Sequence, residues 1–398
     1  MRFRSPSTLL FGRGRLAGVP ALLRELGAER PLVVTDPGVA AAGIAEHLLA
    51  DLQTSGLQPG LWDGVAADPD ETHAERCRQH IAAGGHRSVI ALGGGSVIDV
   101  AKVAAVLATN GGRSSDYFGF DRVPLPGLPL LTVPTTAGSG AEVSSHAVLV
   151  QLDPRKKEVV AGLHLLPRAA VVDPELTLTL PRAETTWSAL DGFIHAIEAF
   201  LAVRASPFTD TFARQAVPLI ARALPQVLAD RSDLAARDEL SLGCLYSGLA
   251  MANANAGAIH ALGYPLTARY GIPHGLANAL VAAAALERIE PGRPERCAEL
   301  AVLLGESLMS LRGTQSGLNA TTCHPEGESC EPRPPQIAER VRRFLSALGV
   351  DDRLSSWGVP AKDLPELADA AHCFRPVLDN TPVDLNRDDL LAVYRASA

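Results

Sequence analysis

Residues 88–102, SVIALGGGSVIDVAK, carry the strongest fold signal in the chain. A run of β-branched and apolar residues passes through a glycine turn directly into a helical pattern. The turn consists of Gly93, Gly94, Gly95 and Ser96. Glycine lets backbone N–H groups come close to an anion, and the first turn of a helix adds a partial positive charge. Although Ile98 occupies the last position of the strict GxGxxG fingerprint, the stretch favours a phosphate-binding turn over a plain strand-to-helix turn.

The same alternation of strands and helices extends over the N-terminal half. Strands are predicted at 31–36, 61–65, 88–95, 128–136, 146–152 and 169–173, and helices around 42–56, 71–85 and 97–110. This repeat predicts a parallel sheet with helices on both faces. From about Ala183 the pattern changes to Ala/Leu-rich helices with almost no strand signal. We therefore predict a Rossmann-like α/β domain over 1–180 and an all-helical domain over 181–398, with the active cleft between them.

The composition limits the classes of partner. The chain has 398 residues, of which 47% are hydrophobic, and its formal net charge is -8. A negative surface of this kind argues against nucleic-acid binding and against attachment to an anionic membrane. No apolar stretch is long enough to span a bilayer, so we expect a cytoplasmic protein.

The cysteines indicate neither a disulfide framework nor a zinc knuckle, because they are scattered and form no CxxC pair. They are Cys77, Cys244, Cys297, Cys323, Cys330 and Cys373. Cys323 and Cys330 flank His324 in a segment, 313–335, that is rich in Gly, Pro, Ser and Thr. Two thiols and an imidazole can bind a metal, but this composition favours a long surface loop.

Two further segments offer contacts to a dinucleotide. Asp36 ends the first predicted strand, where a carboxylate can accept both hydroxyls of an adenosine ribose and would repel a 2′-phosphate. This favours NAD over NADP, although Asp-Pro-Gly is also an ordinary turn. Residues 133–145, VPTTAGSGAEVSS, follow a strand and offer the hydroxyls of Thr135, Thr136 and Ser139 to a cofactor. A polar turn explains this segment equally well.

A second group of residues points to a metal. In residues 187–203, WSALDGFIHAIEAFLAV, Asp191 and His195 lie four apart and therefore share one face of a helix. They lie at the margin of an apolar stripe formed by Trp187, Leu190, Ile194, Ile197 and Leu201. For this pair in isolation, an Asp–His hydrogen bond is the better interpretation.

The segment 257–280 changes that interpretation. It contains His260 and His274 in largely apolar surroundings, and Pro273 forces a break so that His274 begins a new helix or turn. Together with the first pair, these residues give one carboxylate and three imidazoles. Such a set can hold a divalent first-row ion and leave a position open for a substrate oxygen.

Taken together, these segments resemble the iron-containing (group III) alcohol dehydrogenases, which have a dehydroquinate synthase-like fold. The family pattern GGGSxxDxAK stands here as GGGSVIDVAK, TTAGTGSEV as TTAGSGAEV, and DALxHAIE as DGFIHAIE. The two-histidine stretch of the family stands as HALGYPLTARYGIPHGLAN. The similarity runs from roughly Arg2 to Tyr394, and its motifs are specific in combination.

The resemblance implies a role for each matching residue. It implies that Fe²⁺, or Zn²⁺ in some members, is held by Asp191, His195, His260 and His274. It implies that the pyrophosphate is held by Gly93, Gly94, Gly95 and Ser96, with Thr135 and Thr136 along the cofactor and Asp36 on the ribose. It also places Asp99 and Lys102 beside the cofactor, where a plain i,i+3 ion pair is the alternative. A homodimer is the assembly that the resemblance implies.

One position departs from the family pattern. The family commonly has a second histidine four residues after His260, implicated in proton movement, and this chain has Tyr264. A phenol donates a hydrogen bond, but with a pKa of about 10 it is a poorer relay at neutral pH. A tyrosine here also resembles members that reduce small anionic aldehydes such as phosphonoacetaldehyde or sulfoacetaldehyde. Arg269, His146 or Lys157 would then supply the countercharge, unless each is an ordinary surface residue.

The predicted function is a reversible, metal-dependent hydride transfer between a small primary alcohol and NAD⁺. NADP is the less favoured cofactor, and His260 and Tyr264 are the predicted catalytic residues. Reduction of an anionic aldehyde, a dehydroquinate synthase-like lyase reaction and nucleotide binding without catalysis are the alternatives. The lyase needs a dense cluster of Lys and Arg, which the sequence does not place near the candidate ligands.

Overall fold

The computed structural model describes residues 3–312 and 336–398. The predicted loop at 313–335, with Cys323, His324 and Cys330, therefore lies outside the described residues. The strands are β1 (Thr8–Phe11), β2 (Pro31–Val34), β3 (Gly60–Trp62), β4 (Ser88–Gly93), β5 (Gly119–Phe120), β6 (Leu130–Pro134), β7 (His146–Leu152), β8 (Arg155–Ala161) and β9 (Ala169–Val172).

Six of these strands form one parallel sheet in the order β1-β9-β6-β4-β2-β3. β2, β4, β6 and β9 are buried along their whole length, because helices cover both faces of a parallel sheet. These four strands lie within segments predicted from their apolar runs. β1 was not predicted, since TLLF is short and only half buried.

The segment 146–152 is a strand with the predicted bounds, but it belongs to a second sheet. β7 pairs antiparallel with β8, and β5 pairs parallel with β8. The expectation that this segment joins the parallel sheet is therefore wrong. β8, RKKEVVA, escaped prediction because its exposed first half is charged and only its last two residues are buried.

Helices on the sheet and the helical half account for most of the remaining described chain. The helices near the sheet are α1 (Val19–Glu25), α2 (Pro37–Ala41), α3 (Ile44–Thr54), α4 (Glu71–Gly84) and α5 (Gly95–Asn110). The helical half contains α6 (Arg182–Leu201), α7 (Pro207–Ala229), α8 (Leu234–Ala254), α9 (Ala258–Tyr270), α10 (His274–Ile289), α11 (Pro294–Arg312), α12 (Ile337–Ala347), α13 (Leu364–His372), α14 (Arg375–Leu378) and α15 (Arg387–Ala396). Short 3₁₀ helices lie at Arg15–Gly18, Ser114–Tyr117, Ala141–Val143, Leu163–Leu165, Pro174–Thr177, Glu290–Gly292, Leu354–Trp357 and Ala361–Asp363.

The fold class is the predicted one, an α/β half with a parallel sheet followed by a helical half. No described residue after Arg182 is in a strand. The division into domains 1–180 and 181–398 stays a prediction. Within residues 3–312 and 336–398, no helix combines the length and the apolar character needed to cross a bilayer.

α6 is the central helix of the helical half. It packs against α7, α8 and α10, and its residues 189–201 are buried without interruption. Pro181 precedes its first turn, and the predicted apolar stripe faces the core. Each buried Leu or Ile of this stripe contributes about 1.5–3 kcal/mol. The packing therefore holds the polar residues at the margin of the stripe in fixed positions.

Candidate metal centre and cofactor cleft

A deep cleft separates the carboxyl ends of β2, β4 and β6 from α6, α9 and α10. Its volume of about 1490 Å³ exceeds the roughly 300–1,000 Å³ of a pocket for one small ligand. The chain runs from β2 to β3 on one side and then places β4 on the other side of β2. Ligands of open α/β sheets bind at such a reversal of strand order.

Asp191 is the centre of the candidate metal ligands. Its Oδ1 atom lies 3.8 Å from Nε2 of His195 and 3.6 Å from Nε2 of His260. Nε2 of His274 lies 3.7 Å from the same oxygen. These separations are long for hydrogen bonds, but they approach the roughly 3.4 Å between two tetrahedral ligands of an ion with bonds of about 2.0–2.2 Å. The structure thus brings the four predicted ligands together around one point.

The side chain of His260 is oriented by a hydrogen bond to the buried carboxylate of Glu198. The Nδ1–H of His260 donates to Oε2 of Glu198, whose Oε1 accepts the backbone N–H of Ile259 at 2.7 Å. Nε2 of His260 is buried, faces Asp191 and has no hydrogen-bond partner among the described residues. A carboxylate that fixes the tautomer of an imidazole in this way is typical of metal-ligating histidines.

An amide fixes the carboxylate of Asp191. Nδ2 of Asn278 donates to Oδ1 of Asp191 at 3.0 Å and lies 3.3 Å from Nε2 of His274. The ligand atoms of Asp191, His195 and His260 lie within 4.8 Å of one another, and His274 stands outside this mutual group. A buried imidazole nitrogen without a partner is unusual in a folded protein. One carboxylate, three imidazoles and an unpaired Nε2 fit a divalent first-row ion.

Burial and neighbouring charges set the protonation of these ligands. Burial lowers the pKa of His195 and of His274, so both imidazoles are neutral at pH 7. Burial also opposes charge on His260, but Glu198 and Asp191 outweigh it and raise its pKa to about 10. Because a ligand must be unprotonated, a metal has to displace that proton, and its affinity should increase with pH.

The glycine turn presents a helix N-terminus to the cleft. Gly94 is the N-cap of α5, and the first intrahelical bond runs from Ile98 N–H to the Gly94 carbonyl at 3.1 Å. The N–H groups of Gly95, Ser96 and Val97 therefore have no helical partner. These residues line the cleft. Unpaired N–H groups at a helix start form an anion site.

The loop after β6 packs closely against the glycine turn. The N–H of Thr135 donates to the carbonyl of the last residue of β4 at 3.1 Å. A Cβ on Gly94 would lie 3.2 Å from Cγ2 of Thr136, and one on Gly95 would lie 3.1 Å from Oγ of Ser139. These separations are tight, and a Cβ on Gly93 would lie only 2.5 Å from Cγ2 of Val97, so a side chain at Gly93 would force the helix start to shift. The hydroxyl residues Thr135, Thr136 and Ser139 line the cleft.

Asp36 has one oxygen engaged and one free. It caps α2, and its Oδ1 accepts the N–H groups of Gly38 at 2.8 Å and Val39 at 3.0 Å. The ordinary turn therefore accounts for this oxygen. Oδ2 makes no hydrogen bond within the described residues, and Asp36 lines the cleft. One carboxylate oxygen remains for a ribose.

Asp99 and Lys102 support β7. Oδ2 of Asp99 accepts the N–H of Val148 at 3.0 Å, and Nζ of Lys102 donates to Oγ of Ser144 and to the carbonyl of His146. They form no direct ion pair in the described structure, so that alternative is wrong. Burial raises the pKa of Asp99 to about 6 and lowers that of Lys102 to about 8. Asp99 lines the cleft, whereas Lys102 is buried behind it.

Tyr264 lies against two of the candidate ligands. Its ring stacks on the ring of His274 at 5.3 Å and 4°, and it meets the ring of His260 edge-on at 6.1 Å. Its hydroxyl makes no hydrogen bond within the described residues, and Tyr264 lines the cleft. Burial, together with two nearby carboxylates, raises the pKa of the phenol. It therefore stays protonated and acts as a hydrogen-bond donor or acceptor.

The three residues considered as countercharges for an anionic substrate differ in position and charge. Arg269 pairs with Glu366 and does not belong to the cleft wall. Lys157 lines the cleft but lies 2.9 Å from Oδ1 of Asp68. His146 also lines the cleft, and burial lowers its pKa to about 4, so it is neutral.

Sequence reasoning assigned no role to Glu198, Asn278 or Phe374. Glu198 follows His195 by three residues in a buried helix, and Asn278 follows His274 by four. Both spacings place a polar side chain on the face of a ligand and were available as signals. Phe374 packs its ring 5.0 Å from that of Tyr264 across a long sequence separation. No local pattern indicates that contact.

The chain matches two family models. Residues 6–174 match the iron-containing alcohol dehydrogenases, and residues 185–398 match the C-terminal model of the Fe-containing alcohol dehydrogenase family. The chain belongs to the iron-containing alcohol dehydrogenase family. This confirms the resemblance, and this iron-containing alcohol dehydrogenase is an oxidoreductase of alcohols and aldehydes.

Relatives of this alcohol dehydrogenase act on different substrates. A sulfoacetaldehyde reductase of Bilophila wadsworthia is 31% identical over 98% of this chain and 97% of its own. Long-chain-alcohol dehydrogenase 1 of Geobacillus thermodenitrificans is 32% identical over 97% of this chain and 94% of its own. The crystal structure of a sulfoacetaldehyde reductase from Bifidobacterium kashiwanohense in complex with NAD⁺ has a TM-score of 0.85 and 26% identity, covering 99% of this chain and 98% of that one. The family is clear, and the substrate differs among its members.

Proposed function

We propose that this alcohol dehydrogenase interconverts a primary alcohol and its aldehyde, with NAD as the hydride carrier and Fe²⁺, in preference to Zn²⁺, as the metal. In the net reaction, the alcohol and NAD⁺ give the aldehyde, NADH and a proton. The observation that carries the proposal is the approach of three Nε2 atoms to Oδ1 of Asp191 within 3.6–3.8 Å. The N-terminus of α5 opens into the same cleft.

The metal would be held by Asp191, His195, His260 and His274. When bound, it supplies Lewis-acid activation of an alcohol or carbonyl oxygen. Glu198 keeps the Nδ1 proton on His260, so Nε2 is available as a ligand. Asn278 holds the Asp191 carboxylate in place.

The cofactor would lie along the sheet side of the cleft. The glycine turn and Ser96 offer N–H groups to its pyrophosphate, and Oδ2 of Asp36 offers an acceptor to its ribose. Thr135, Thr136 and Ser139 form the facing wall. Asp99 and Lys102 fix the start of β7 along this wall. The charge on Asp36 favours NAD over NADP, and the NAD⁺ complex of a relative supports the same cofactor.

Tyr264 and His260 are the proposed catalytic residues. His260 acts as a metal ligand. Tyr264 lies over two ligands and keeps its proton, so it is suited to donate a hydrogen bond to the substrate oxygen. It is not suited to act as a base at neutral pH.

Replacement of His274 by alanine tests the proposal. We expect the purified variant to retain little iron and to form no NADH from primary alcohols. His47→Ala is a matched control, because His47 is 67% exposed in its side chain and lies on α3 away from the cleft. Full metal content and normal turnover in His274→Ala would show that the ligand assignment is wrong.

We also propose that the protein forms a homodimer in the cytoplasm. Among the described strands, β1 lies at the edge of the large sheet with one side unpaired, and Leu9 on it is 36% exposed. In the described residues the cysteines are free thiols, which fits a reducing compartment. Light scattering coupled to size-exclusion chromatography measures the assembly directly.

A further inference from the structure

The part of the cleft next to the candidate ligands is lined mainly by aromatic and aliphatic side chains. This substrate end is formed by Trp187, Tyr264, Thr267, Ile272, Phe374 and Val377. The Tyr264 ring lies 5.3 Å from that of His274, and the Phe374 ring lies 5.0 Å from that of Tyr264. Trp187 is one helical turn before Asp191. A substrate whose oxygen reaches the ligands therefore lays its carbon chain against these side chains.

Positive charge is scarce on the described part of the cleft wall. Lys157 is the only lysine or arginine among the described lining residues, and its Nζ lies 2.9 Å from Oδ1 of Asp68. Carboxylates on the same wall are Asp36, Asp68, Asp99, Glu158, Glu184 and Asp191. Asp36 and Asp99 belong to the cofactor side, but the wall as a whole carries more negative than positive side chains, so an anionic substrate gains little attraction from it.

The ligand cluster does not compensate for this. Asp191 and Glu198 are both buried carboxylates, and together they carry two negative charges beside His260. These charges equal the charge of a divalent ion, so the loaded centre has little net attraction for an anion. Lys157 is near enough for its charge to act on His274, but its Nζ pairs with Asp68. The other hydrogen-bonding side chains at the substrate end, those of Trp187, Tyr264 and Thr267, are uncharged.

We propose that the substrate end admits uncharged primary alcohols and aldehydes with an aliphatic or aryl tail and discriminates against those with an anionic tail. The inference rests on the proposed function and narrows it. It separates this chain from the sulfoacetaldehyde reductase to which it is 31% identical. It also disfavours reduction of an anionic aldehyde, the alternative function that Tyr264 suggested.

A matched pair of alcohols isolates charge from shape. 3,3-Dimethylbutan-1-ol and isethionate are both 2-substituted ethanols with a tetrahedral end group, tert-butyl in one and sulfonate in the other. With the metal-loaded enzyme and NAD⁺, we expect kcat/KM for the neutral alcohol to be about tenfold higher or more. Binding of each alcohol is measured in parallel by tryptophan fluorescence, since Trp187 lies at the substrate end.

The two readouts separate the inference from the function on which it rests. Stronger binding or faster oxidation of isethionate overturns the inference and leaves the oxidoreductase function intact. An absence of NADH formation with every alcohol argues against the proposed function. In that case the binding measurement still decides the inference: a preference for the neutral alcohol supports it, and equal or reversed affinities contradict it.

A positive charge introduced at the substrate end should weaken or abolish the preference for the neutral alcohol. Phe374→Arg places a guanidinium beside Tyr264 and should raise kcat/KM for isethionate, relative to the neutral alcohol, by about tenfold. Phe374→Leu keeps the wall apolar and should keep the wild-type preference. Arg269→Ala removes an arginine outside the cleft and should leave kcat/KM unchanged for both isethionate and the neutral alcohol. A folded Phe374→Arg variant, checked by circular dichroism, with an unchanged ratio would contradict the proposal.

Discussion

Replacement of Glu198 by glutamine tests whether this buried carboxylate sets the affinity for the metal. Glu198 is 4% exposed, and its two oxygens accept the N–H groups of His260 and Ile259. Glutamine has the same shape but only one acceptor oxygen, so its NH₂ group must face one of the two donors. A buried donor that loses its partner costs about 1–3 kcal/mol of stability. Where the amide faces His260, the proton moves from Nδ1 to Nε2, the atom that faces Asp191.

Loss of the correct tautomer should weaken metal binding about 10–100-fold, which is the effect typical of removing the hydrogen-bond partner of a metal-ligating histidine. This corresponds to about 1.4–2.8 kcal/mol of binding free energy. The assay is competition for iron with chelators of graded affinity, followed by turnover at limiting and at saturating metal. Glu46→Gln makes the same chemical change at an exposed position of α3 outside the cleft wall and should leave the metal affinity unchanged. An unaltered affinity in Glu198→Gln would refute the reasoning.

Changes at other positions test charge, packing and burial separately. Asp36→Asn keeps the oxygen that caps α2 but removes the charge, so kcat/KM with NADP⁺ relative to NAD⁺ should rise about tenfold; an unchanged ratio would show that Asp36 does not select the cofactor. Gly275→Ala places a Cβ 1.9 Å from the carbonyl oxygen of Trp187, so the midpoint temperature of thermal unfolding should fall by several degrees and metal should be lost. In the control Gly18→Ala, the nearest atom to the new Cβ lies at 4.0 Å, so this temperature should not change. Burial raises the pKa of Glu142 from its ordinary value of 4.5 to about 7 in the folded protein, so the wild type loses stability as pH rises between these values. Glutamine does not ionise, so Glu142→Gln should be more stable than the wild type at pH 8, by at most about 3 kcal/mol, and no more stable at pH 4. The free energy of unfolding in urea at the two pH values measures this difference.

The sequence predicts the fold well where a single physical requirement, such as burial on both faces of a strand, determines the residue types. Strands buried on both faces must be apolar, so β2, β4, β6 and β9 are visible as runs. Pro273 cannot continue a helix, and α10 begins at His274 as predicted. Strands that are less buried are missed, because β1 is short and half exposed and β8 begins with charged residues that face solvent. The partner of β7 is set by this hairpin, so its sheet cannot be predicted from its own sequence.

The candidate ligands are visible in the sequence because burying Asp or His in apolar helices is costly and therefore needs a reason. Their convergence depends on how α6, α9 and α10 pack, which no local spacing encodes. The charge of the cleft wall is likewise a tertiary property, since Lys157 lies on the unpredicted strand β8 and its partner Asp68 lies far away in sequence. Arg269 is different, because five residues along a helix turn its side chain by about 500°, or about 140° from Tyr264. If Tyr264 faces the ligands, Arg269 must face away, so helix geometry alone argues against Arg269 as the cation that would bind an anionic substrate.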